Sequence, residues 1–231
     1  MQTRIIAITK PLIKLVPEGF KNPHPVNDLH GLTPEEFIVY IARVSNPTNQ
    51  LNVETGWKLI HYLIKHKHWS PFEHISCTFE IKTSRAIAAQ ILRHRSFTFQ
   101  EFSQRYAQVT DLEPIEWRKQ GKTNRQVGDE PINLPTYLQY AVDEAQRNTK
   151  ALYNQLISEG IAKETARMIL PLNTQTTIYM TGTLRSWVHY LDLRCAEGTQ
   201  KEHRDIALDI KKGLEEVFPE TFKAINELNA R

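Results

Sequence analysis

The stretch from residue 90 to residue 106 holds more side chains that bind anions or carry protons than any other window of this chain. It reads Gln-Ile-Leu-Arg-His-Arg-Ser-Phe-Thr-Phe-Gln-Glu-Phe-Ser-Gln-Arg-Tyr. Apolar residues at its start have helical spacing, so Gln90, Arg93 and His94 are predicted to share the opposite face of a helix end. Cations at that end also suit the negative pole of the helix dipole.

Polar and aromatic residues alternate in the second half of this stretch. If that half is extended, Glu101, Ser103 and Arg105 point to the same side. Two interpretations follow from the residue types. The stretch is either a basic helix end followed by a half-buried strand, or a site that binds an anionic ligand.

The composition limits the class of protein. With 231 residues, 40% hydrophobic and 24% charged, the chain is expected to form one soluble domain over residues 1–231. A formal net charge of +3 does not favour bulk nucleic-acid binding, because local arginine clusters for phosphates explain it equally well. Two cysteines provide no disulfide framework, and no apolar run approaches the roughly 18 residues of a membrane span. We therefore expect a cytoplasmic protein that binds neither nucleic acid nor a membrane.

Hydrophobic periodicity and cap residues predict the elements in the first half of the chain. We expect a strand at 4–9, a loop at 17–31, helices from Thr33 to about Ser45 and over 54–67, and a strand at 75–82. Thr33 and Glu36 form a capping-box pattern. Thr83 or Ser84 should cap the helix that delivers residues 90–95, and 111–133 should be an exposed loop or lid.

The second half is predicted to be mostly helical. We expect an amphipathic helix over 136–159 that Gly160 ends, a helix over 162–170, and a strand over 174–181. Thr183 should cap a further helix, with Arg185 and His189 on its outer face. Thr199 and Glu202 form a second capping-box pattern before the last long helix. Pro219 should end that helix, and 221–229 should form a short tail helix.

Three histidines, His66, His68 and His74, lie close together in the sequence. Histidine is a common metal ligand, but this segment lacks cysteines and a Glu-x-x-His pattern. We expect no metal site here, and we assign these histidines to the end of a helix and the start of a strand.

Several blocks of the sequence resemble those of the flavin-dependent thymidylate synthases. Arg93-His94-Arg95, seven residues, Ser103, one residue and Arg105 resemble that family's signature, with Glu101 at the position of its acidic residue. The segment 68–74 resembles its His-x-Ser/Thr-Pro-Phe-Glu-His block, and 193–202 resembles its Leu-Arg…Ala-Gln-x-Glu block. The similarity runs in such blocks from about Ala42 to Glu202.

This resemblance implies a fold and an activity. The implied fold is α+β, with a mixed or antiparallel central sheet flanked by long helices. A Rossmann unit is not expected, because the chain has no Gly-x-Gly-x-x-Gly. The implied reaction is the reductive methylation of dUMP to dTMP, with methylenetetrahydrofolate as carbon donor, FAD as redox carrier and NADPH as reductant. The implied assembly is a homotetramer whose active sites are shared between subunits.

The positions that match the family's nucleotide contacts form the predicted dUMP site. They are Gln90, Ile91, Leu92, Arg93, Glu101, Phe102, Ser103, Gln104, Arg105, Arg167 and Arg194. Arg105 and Arg167 would neutralise the phosphate. The resemblance gives Arg194 the catalytic role, since a guanidinium at the N3–O4 edge stabilises the pyrimidine anion that reacts at C5.

The positions that match the family's flavin contacts form the predicted FAD site. They are Ser70, Arg93, His94, Arg95, Glu101, Thr183, Leu184, Arg185 and His189. Arginines and a histidine would supply charge for the FAD phosphates and hydrogen-bond donors for the ring.

We expect no cysteine nucleophile in this reaction. Cys77 is predicted to lie on the apolar face of a strand, where burial raises a thiol pKa. Cys195 directly follows Arg194, whose guanidinium could lower a thiol pKa. However, consecutive helical residues point about 100° apart, so Arg194 and Cys195 should not face the same ligand.

Two other functions remain open at this point. One is a flavin- and folate-dependent enzyme that methylates a uracil within RNA, although the phosphate-binding motifs match a free mononucleotide better. The other is a non-catalytic RNA-binding module, because arginines that alternate with aromatic residues can stack on bases. The near-neutral net charge argues against the second alternative.

Overall fold

The computed structural model describes residues 2–13, 31–108 and 111–230. Its strands are β1 (Gln2–Ile8), β2 (Ser76–Ser84), β3 (Thr98–Glu101), β4 (Arg118–Gln120), β5 (Gly128–Pro131) and β6 (Gln175–Thr183). Its α-helices are α1 (Pro34–Ala42), α2 (Gly56–Lys65), α3 (Arg85–Ile91), α4 (Thr136–Ser158), α5 (Lys163–Ala166), α6 (Leu184–Arg194), α7 (Lys201–Val217) and α8 (Pro219–Asn229). The predicted loop at 17–31 lies, except for Gly31, outside the described residues.

Four antiparallel strands form the central sheet in the order β1-β2-β6-β3. The middle pair, β2 and β6, runs in continuous register from Ser76 opposite Thr183 to Ser84 opposite Gln175. The predicted alternation in β2 is confirmed, because Cys77, Phe79 and Ile81 are buried and the residues between them are not. The expected α+β fold with an antiparallel sheet is therefore confirmed.

Helices α3, α6 and α7 pack against this sheet, and α1, α2 and α8 complete the same hydrophobic core. Trp187 of α6 packs edge-on against Phe79 at 5.0 Å between ring centroids, and its indole N–H donates to the Cys77 carbonyl at 3.2 Å. The apolar stripe of α7 consists of Ile206, Ala207, Ile210 and Leu214, all buried. This packing holds α6 firmly against the sheet.

Side-chain caps begin the helices that lead to the functional residues. Thr33 and Glu36 form the predicted capping box on α1. The Ser84 hydroxyl accepts from the Ile87 N–H at 3.5 Å, and the Thr183 hydroxyl accepts from the Ser186 N–H at 3.2 Å. Both predicted caps are thus confirmed, and each places a helix directly after one of the two central strands.

The predicted loop at 111–133 is only partly confirmed. It contains the antiparallel pair β4 and β5, and Leu112 makes an isolated bridge to Thr174. The hairpin is short and polar, so periodicity could not distinguish it from a loop.

The helix predicted over 136–159 is confirmed as α4, and Gly160 follows it with φ of 83°. The apolar residues that predicted this amphipathic helix are exposed or only partly buried in the chain alone. Leu138 is 40% exposed and Leu152 is 48% exposed, while Tyr153 is the buried residue of the helix.

Three further expectations need correction. The helix predicted over 162–170 is α5 followed by a 3-10 turn at Arg167–Ile169. Glu101, Ser103 and Arg105 do not share an extended strand, because β3 ends at Glu101 and Tyr106 N–H bonds back to the Ser103 carbonyl. The second capping box is absent, because Gln200 and not Thr199 directly precedes α7, and Glu202 accepts from the Gln200 side chain instead of forming a cap with Thr199.

We predict that Gly182→Ala destabilises the protein. A Cβ on Gly182 would lie 2.3 Å from a carbon of the Phe97 ring, and Phe97 itself packs against Trp187 at 4.6 Å. Overpacking of this kind costs about 1–3 kcal/mol. Urea unfolding would measure it, with Gly213→Ala in α7 as the control.

A methyl group at Gly213 meets only ordinary contact at 3.4 Å from Phe79. Alanine there should raise the free energy of unfolding by up to about 1 kcal/mol, because it suits a helix better than glycine. Equal effects of the two substitutions would contradict this assignment of the Phe97 contact.

Candidate active site

A cleft of about 480 Å³ opens between α3, the end of α6 and the start of α7. Gln90, Arg93, Arg194 and Gln200 line it, and Gln126 of the β4–β5 hairpin completes one wall. Gln90 reaches the cleft because its helix buries Ile87, Ala88 and Ile91 on the other face. Gln90 and Arg93 thus face one cleft, as predicted, whereas His94, which was predicted to share their face, does not line it and packs against Tyr190.

Arg194 is held at this cleft by the partly buried imidazole of His94. Its Nε–H donates to Nε2 of His94 at 2.9 Å. Burial, and then the nearby Arg194 guanidinium, lowers the pKa of His94 to about 4. His94 is consequently neutral at pH 7, with its own proton on Nδ1. The terminal amino groups of Arg194 make no hydrogen bond to the described residues, so they can reach a ligand.

Behind the cleft lies the imidazole of His203 in α7, which is fully buried at 0% exposure. Its Nδ1 lies 3.3 Å from the Gln90 carbonyl oxygen and its Nε2 lies 3.1 Å from the Tyr190 hydroxyl. Burial, then the charge of Arg194 and the neighbouring His94, lowers the pKa of His203 to about 3. Burial also raises the pKa of Tyr190, so its hydroxyl keeps its proton.

A line of polar contacts connects Gln90 to the hairpin. The Gln90 amide nitrogen donates to the Gln200 carbonyl oxygen at 2.7 Å, and the Gln200 amide nitrogen donates to Glu202 at 2.9 Å. Glu202 in turn pairs with Arg118 of β4. Burial alone would raise the pKa of Glu202, but hydrogen bonds from Arg118, its own backbone and Gln200 hold that pKa below its ordinary value.

The residues predicted to bind the phosphate form a separate group. Arg105 is 67% exposed at its side chain and pairs with Glu164 at 3.0 Å. Arg167 donates through Nε to the backbone carbonyl of the same Glu164 at 3.3 Å. Ser103 and Lys163 line the shallow pocket beside them. The structure therefore brings Arg105 and Arg167 together, but not into the cleft that holds Arg194.

Most residues predicted to bind the flavin lie on a third part of the surface. Arg185 is exposed and pairs with Glu73, and the His189 ring lies 5.7 Å from Trp69. Ser70 and Arg95 are exposed. Thr183 is occupied as the cap of α6. Leu184 is fully buried and its N–H donates to the Ile75 carbonyl at 2.8 Å, so the chain alone does not present it to a ligand.

The remaining predicted residues are distributed as follows. Ile91 is fully buried in the core, while Leu92 is 38% exposed after the end of α3. Glu101 accepts hydrogen bonds from Arg85 and from Thr176, both at 2.9 Å. The Phe102 carbonyl accepts from Arg85 at 2.9 Å. Gln104 is 6% exposed, and its buried amide nitrogen has no partner among the described residues.

Neither thiol is suited to nucleophilic attack. Burial raises the pKa of Cys77 to about 12, and burial also raises the pKa of Cys195. Cys195 faces a different cavity, which it shares with Trp69 and Phe222, whereas Arg194 faces the cleft. The prediction that these neighbours point apart is confirmed.

Sequence reasoning missed six residues of the site: Arg118, Gln126, Tyr190, Gln200, Glu202 and His203. A signal existed for His203, which interrupts an otherwise apolar stripe at helical spacing with Ile206, Ala207 and Ile210. Glu202 was assigned to a cap. No local pattern indicates its pairing with Arg118, which is 84 residues away.

Two general findings concern metals and membranes. In the part of the chain that is described, no three His, Cys, Asp or Glu side chains gather closely enough to hold a metal ion. None of the described helices combines the length and the apolar character needed to cross a membrane.

Comparison with known proteins supplies independent evidence. A family model described as "Thymidylate synthase complementing protein" matches residues 29–220. The chain is 47% identical over 229 residues to a probable flavin-dependent thymidylate synthase of Paramecium bursaria Chlorella virus 1, with 98% of this chain and 99% of the relative covered. It is 45% identical over 227 residues to the flavin-dependent thymidylate synthase of Synechocystis sp., covering 97% and 99% of the two chains.

A solved structure shares the fold. It is the UMP/dUMP methylase PolB from Streptomyces cacaoi, bound with 5-Br dUMP, and it superposes with a TM-score of 0.75. The match covers 98% of this chain and 94% of that one, at 23% sequence identity. At that identity the likeness supports the fold alone.

We predict that His203 makes stability depend on pH. An unfolded histidine titrates near 6.5, whereas His203 in the folded protein stays neutral down to about pH 3. Between these values the unfolded state binds the extra proton, so stability falls as pH falls. For His203 alone the loss between pH 7.5 and pH 5 is about 2 kcal/mol.

Urea unfolding of the wild type and of His203→Gln at pH 7.5, 6 and 5 would measure this contribution. The variant should lose less stability on acidification, and His94 contributes equally to both proteins. If the free energies of unfolding of the two proteins fell equally between pH 7.5 and pH 5, His203 would be protonated in the native state at pH 5.

Proposed function

We propose that this chain, which belongs to the family of flavin-dependent thymidylate synthases, converts dUMP to dTMP by reductive methylation. Methylenetetrahydrofolate would donate the carbon, FAD would be the redox carrier and NADPH the reductant. The observation that carries the proposal is Arg194, which a neutral imidazole holds at the edge of a polar cleft.

Arg194 suits the activation of a pyrimidine. Carbon 5 becomes nucleophilic when negative charge develops on the ring, and a guanidinium at the N3–O4 edge stabilises that charge. The bond from Nε to His94 fixes the plane of the guanidinium and leaves its two terminal amino groups for the ligand. Because His94 is neutral, it accepts this hydrogen bond and adds no second positive charge beside the guanidinium.

The phosphate end of dUMP would bind near Arg105 and Arg167. In the structure Glu164 contacts both arginines, and a phosphate dianion would compete with this carboxylate for Arg105. The unpaired amide nitrogen of Gln104 is a further donor in this segment. Lys163 and the Ser103 hydroxyl lie in the same shallow pocket.

The residues available on the surface fit the chemistry of FAD. Arg93, Arg95 and Arg185 are exposed cations that suit its two phosphates, and Ser70 and His189 offer polar contacts to a ring system. Arg185 already holds a carboxylate, Glu73, as it would hold a phosphate. When bound, the flavin would supply the hydride that completes the methyl group, while the chain binds and orients the reactants.

We further propose a homotetramer whose active sites combine residues of several subunits. Two observations support this assembly. The predicted ligand-binding residues fall into three groups, and among the described residues the cleft that Arg194 lines and the pocket that Arg105 lines are separate. Helix α4 also exposes apolar residues along its length, including Tyr137 at 71%, Tyr140 at 62% and Leu152 at 48%.

Release of tritium from [5-³H]dUMP would test the reaction directly. The wild-type protein should release tritium when FAD, NADPH and methylenetetrahydrofolate are all present, and it should not do so when any one is omitted. Failure to release tritium with all components present would refute the proposed function.

The same assay distinguishes the mechanism from one with a cysteine nucleophile. Cys195→Ala should retain most tritium release and dTMP formation, because burial keeps this thiol protonated and it faces away from the cleft. Cys77→Ala is the matched control, and any loss should follow its thermal stability. A Cys195→Ala protein that folds and binds dUMP but makes no dTMP would identify the thiol as the nucleophile.

We predict that Arg105→Ala and Arg167→Ala each weaken dUMP binding by about ten- to hundredfold, the scale of one charge-assisted hydrogen bond. Calorimetric titration with dUMP would measure it. Arg185→Ala is the matched control, since it removes an exposed arginine assigned to FAD. It should lower FAD affinity and leave dUMP affinity largely intact, and the reverse pattern would show that the two groups are wrongly assigned.

A further inference from the structure

The hydrogen bonds that connect Glu202, Gln200, Gln90 and His203 have one fixed assignment of donors and acceptors, and Glu202 determines it. Glu202 pairs with Arg118, which keeps it ionised, and an ionised carboxylate only accepts hydrogen bonds. Its neighbour Gln200 must therefore present its amide nitrogen to Glu202, at 2.9 Å. This leaves the Gln200 carbonyl oxygen facing Gln90.

The direction of the next amide follows from the same rule. The Gln200 oxygen is an acceptor, so Gln90 must turn its amide nitrogen toward it, at 2.7 Å. The Gln90 carbonyl oxygen then faces His203, whose Nδ1 lies 3.3 Å away and must carry the proton. A reversed Gln90 would place two oxygens against each other at Gln200.

The other end of the line leads to the same assignment. With its proton on Nδ1, the neutral His203 offers Nε2 as an acceptor, 3.1 Å from the Tyr190 hydroxyl. Tyr190 is 2% exposed, so its O–H needs a partner within the protein, and His203 provides it. Both ends therefore require the same orientation of Gln90.

An amide nitrogen carries two protons, and Gln200 takes one of them. Gln90 lines the cleft, so the second N–H is available to a ligand there, while its oxygen is engaged behind the cleft by His203. The side chain is thus committed to donating toward the cleft.

We propose that His203 and Glu202 are positioning residues that hold the Gln90 amide as a hydrogen-bond donor. The cleft then prefers a pyrimidine that presents a carbonyl oxygen to Gln90 over one that presents an amino group. The inference rests on the proposed function, because it takes the cleft to be the pyrimidine site. An amino group facing Gln90 would set donor against donor, so uracil is accepted and cytosine is disfavoured. Glu202 alone or His203 alone fixes the orientation of the Gln90 amide only in part.

Competition between dUMP and dCMP for the FAD-loaded protein tests this inference. Dissociation constants for both nucleotides would be measured for wild type, His203→Leu, Glu202→Gln and the double variant. Each single substitution should narrow the preference for dUMP over dCMP by about three- to tenfold, the scale of one hydrogen bond. The double variant should narrow it further, since neither end then fixes the amide.

Ile206→Val is the matched control, because Ile206 lies one turn along the same helix face and is also buried. It should lower stability and leave the preference between the nucleotides unchanged. If His203→Leu fails to fold, Glu202→Gln decides the question, because it keeps the size of the side chain and removes only the fixed charge.

One outcome would overturn the inference: an unchanged ratio of the two dissociation constants in the folded variants. If both nucleotides bind more weakly by the same factor, the ratio is unchanged and His203 and Glu202 have only a structural role. Tritium release by the wild type reports separately on the proposed function, so an active wild type with an unchanged ratio in the variants refutes only the inference.

Discussion

The hydrogen bond between Arg194 and His94 is the constraint on which the arrangement of the cleft depends. It requires a neutral imidazole beside a guanidinium, and burial provides this by lowering the pKa of His94 to about 4. The segments that carry the two partners leave the central strand pair at its opposite ends, because β2 and β6 are antiparallel. His94 follows the helix that β2 leads into, and Arg194 ends the helix that β6 leads into. The continuous register of β2 and β6 therefore determines whether these side chains meet.

The rings around this bond keep it in place. The His94 ring meets Tyr190 edge-on at 4.9 Å, and Phe97 packs against both Trp187 and Tyr190. Trp187 is fixed to the sheet through the Cys77 carbonyl. The close approach of Phe97 to Gly182 lets this cluster reach the strand, because any side chain at Gly182 would overlap the ring. The same contacts therefore pack the core and hold His94 in position.

Much of this framework can be predicted from the sequence because its causes are local. The alternation in β2 and the caps at Thr33, Ser84 and Thr183 all depend on residues within a few positions of each other. The motif around Arg93 identified the family for a different reason, since its spacing is specific. Local patterns failed where a distant residue competes. Glu202 has the spacing of a capping box, but Arg118 binds it instead.

The exposed face of α4 could not be predicted from one chain for a related reason. Its apolar residues correctly indicated an amphipathic helix, but the sequence does not say whether the same chain or another copy covers them. The separation of Arg105 and Arg167 from Arg194 has the same character. Arg93 lines the cleft and Arg105 lines a separate pocket, so residues that are close in the signature do not share a cavity in one chain.

The pair formed by Glu202 and Arg118 shows why such a distant contact matters for the cleft. A partly buried ion pair adds little net stability, because removing two charges from water offsets much of their attraction. Its charge nevertheless has a consequence that a neutral pair would lack, since an ionised carboxylate can only accept. That single restriction determines the orientation of the Gln200 amide and, through it, of the Gln90 amide. The neutral His203 requires the same orientation of Gln90 from the other end. The hairpin at 118–131 therefore contributes to the cleft in two ways: it supplies Gln126 to the wall, and through Arg118 it keeps ionised the group that orients the amide facing the ligand.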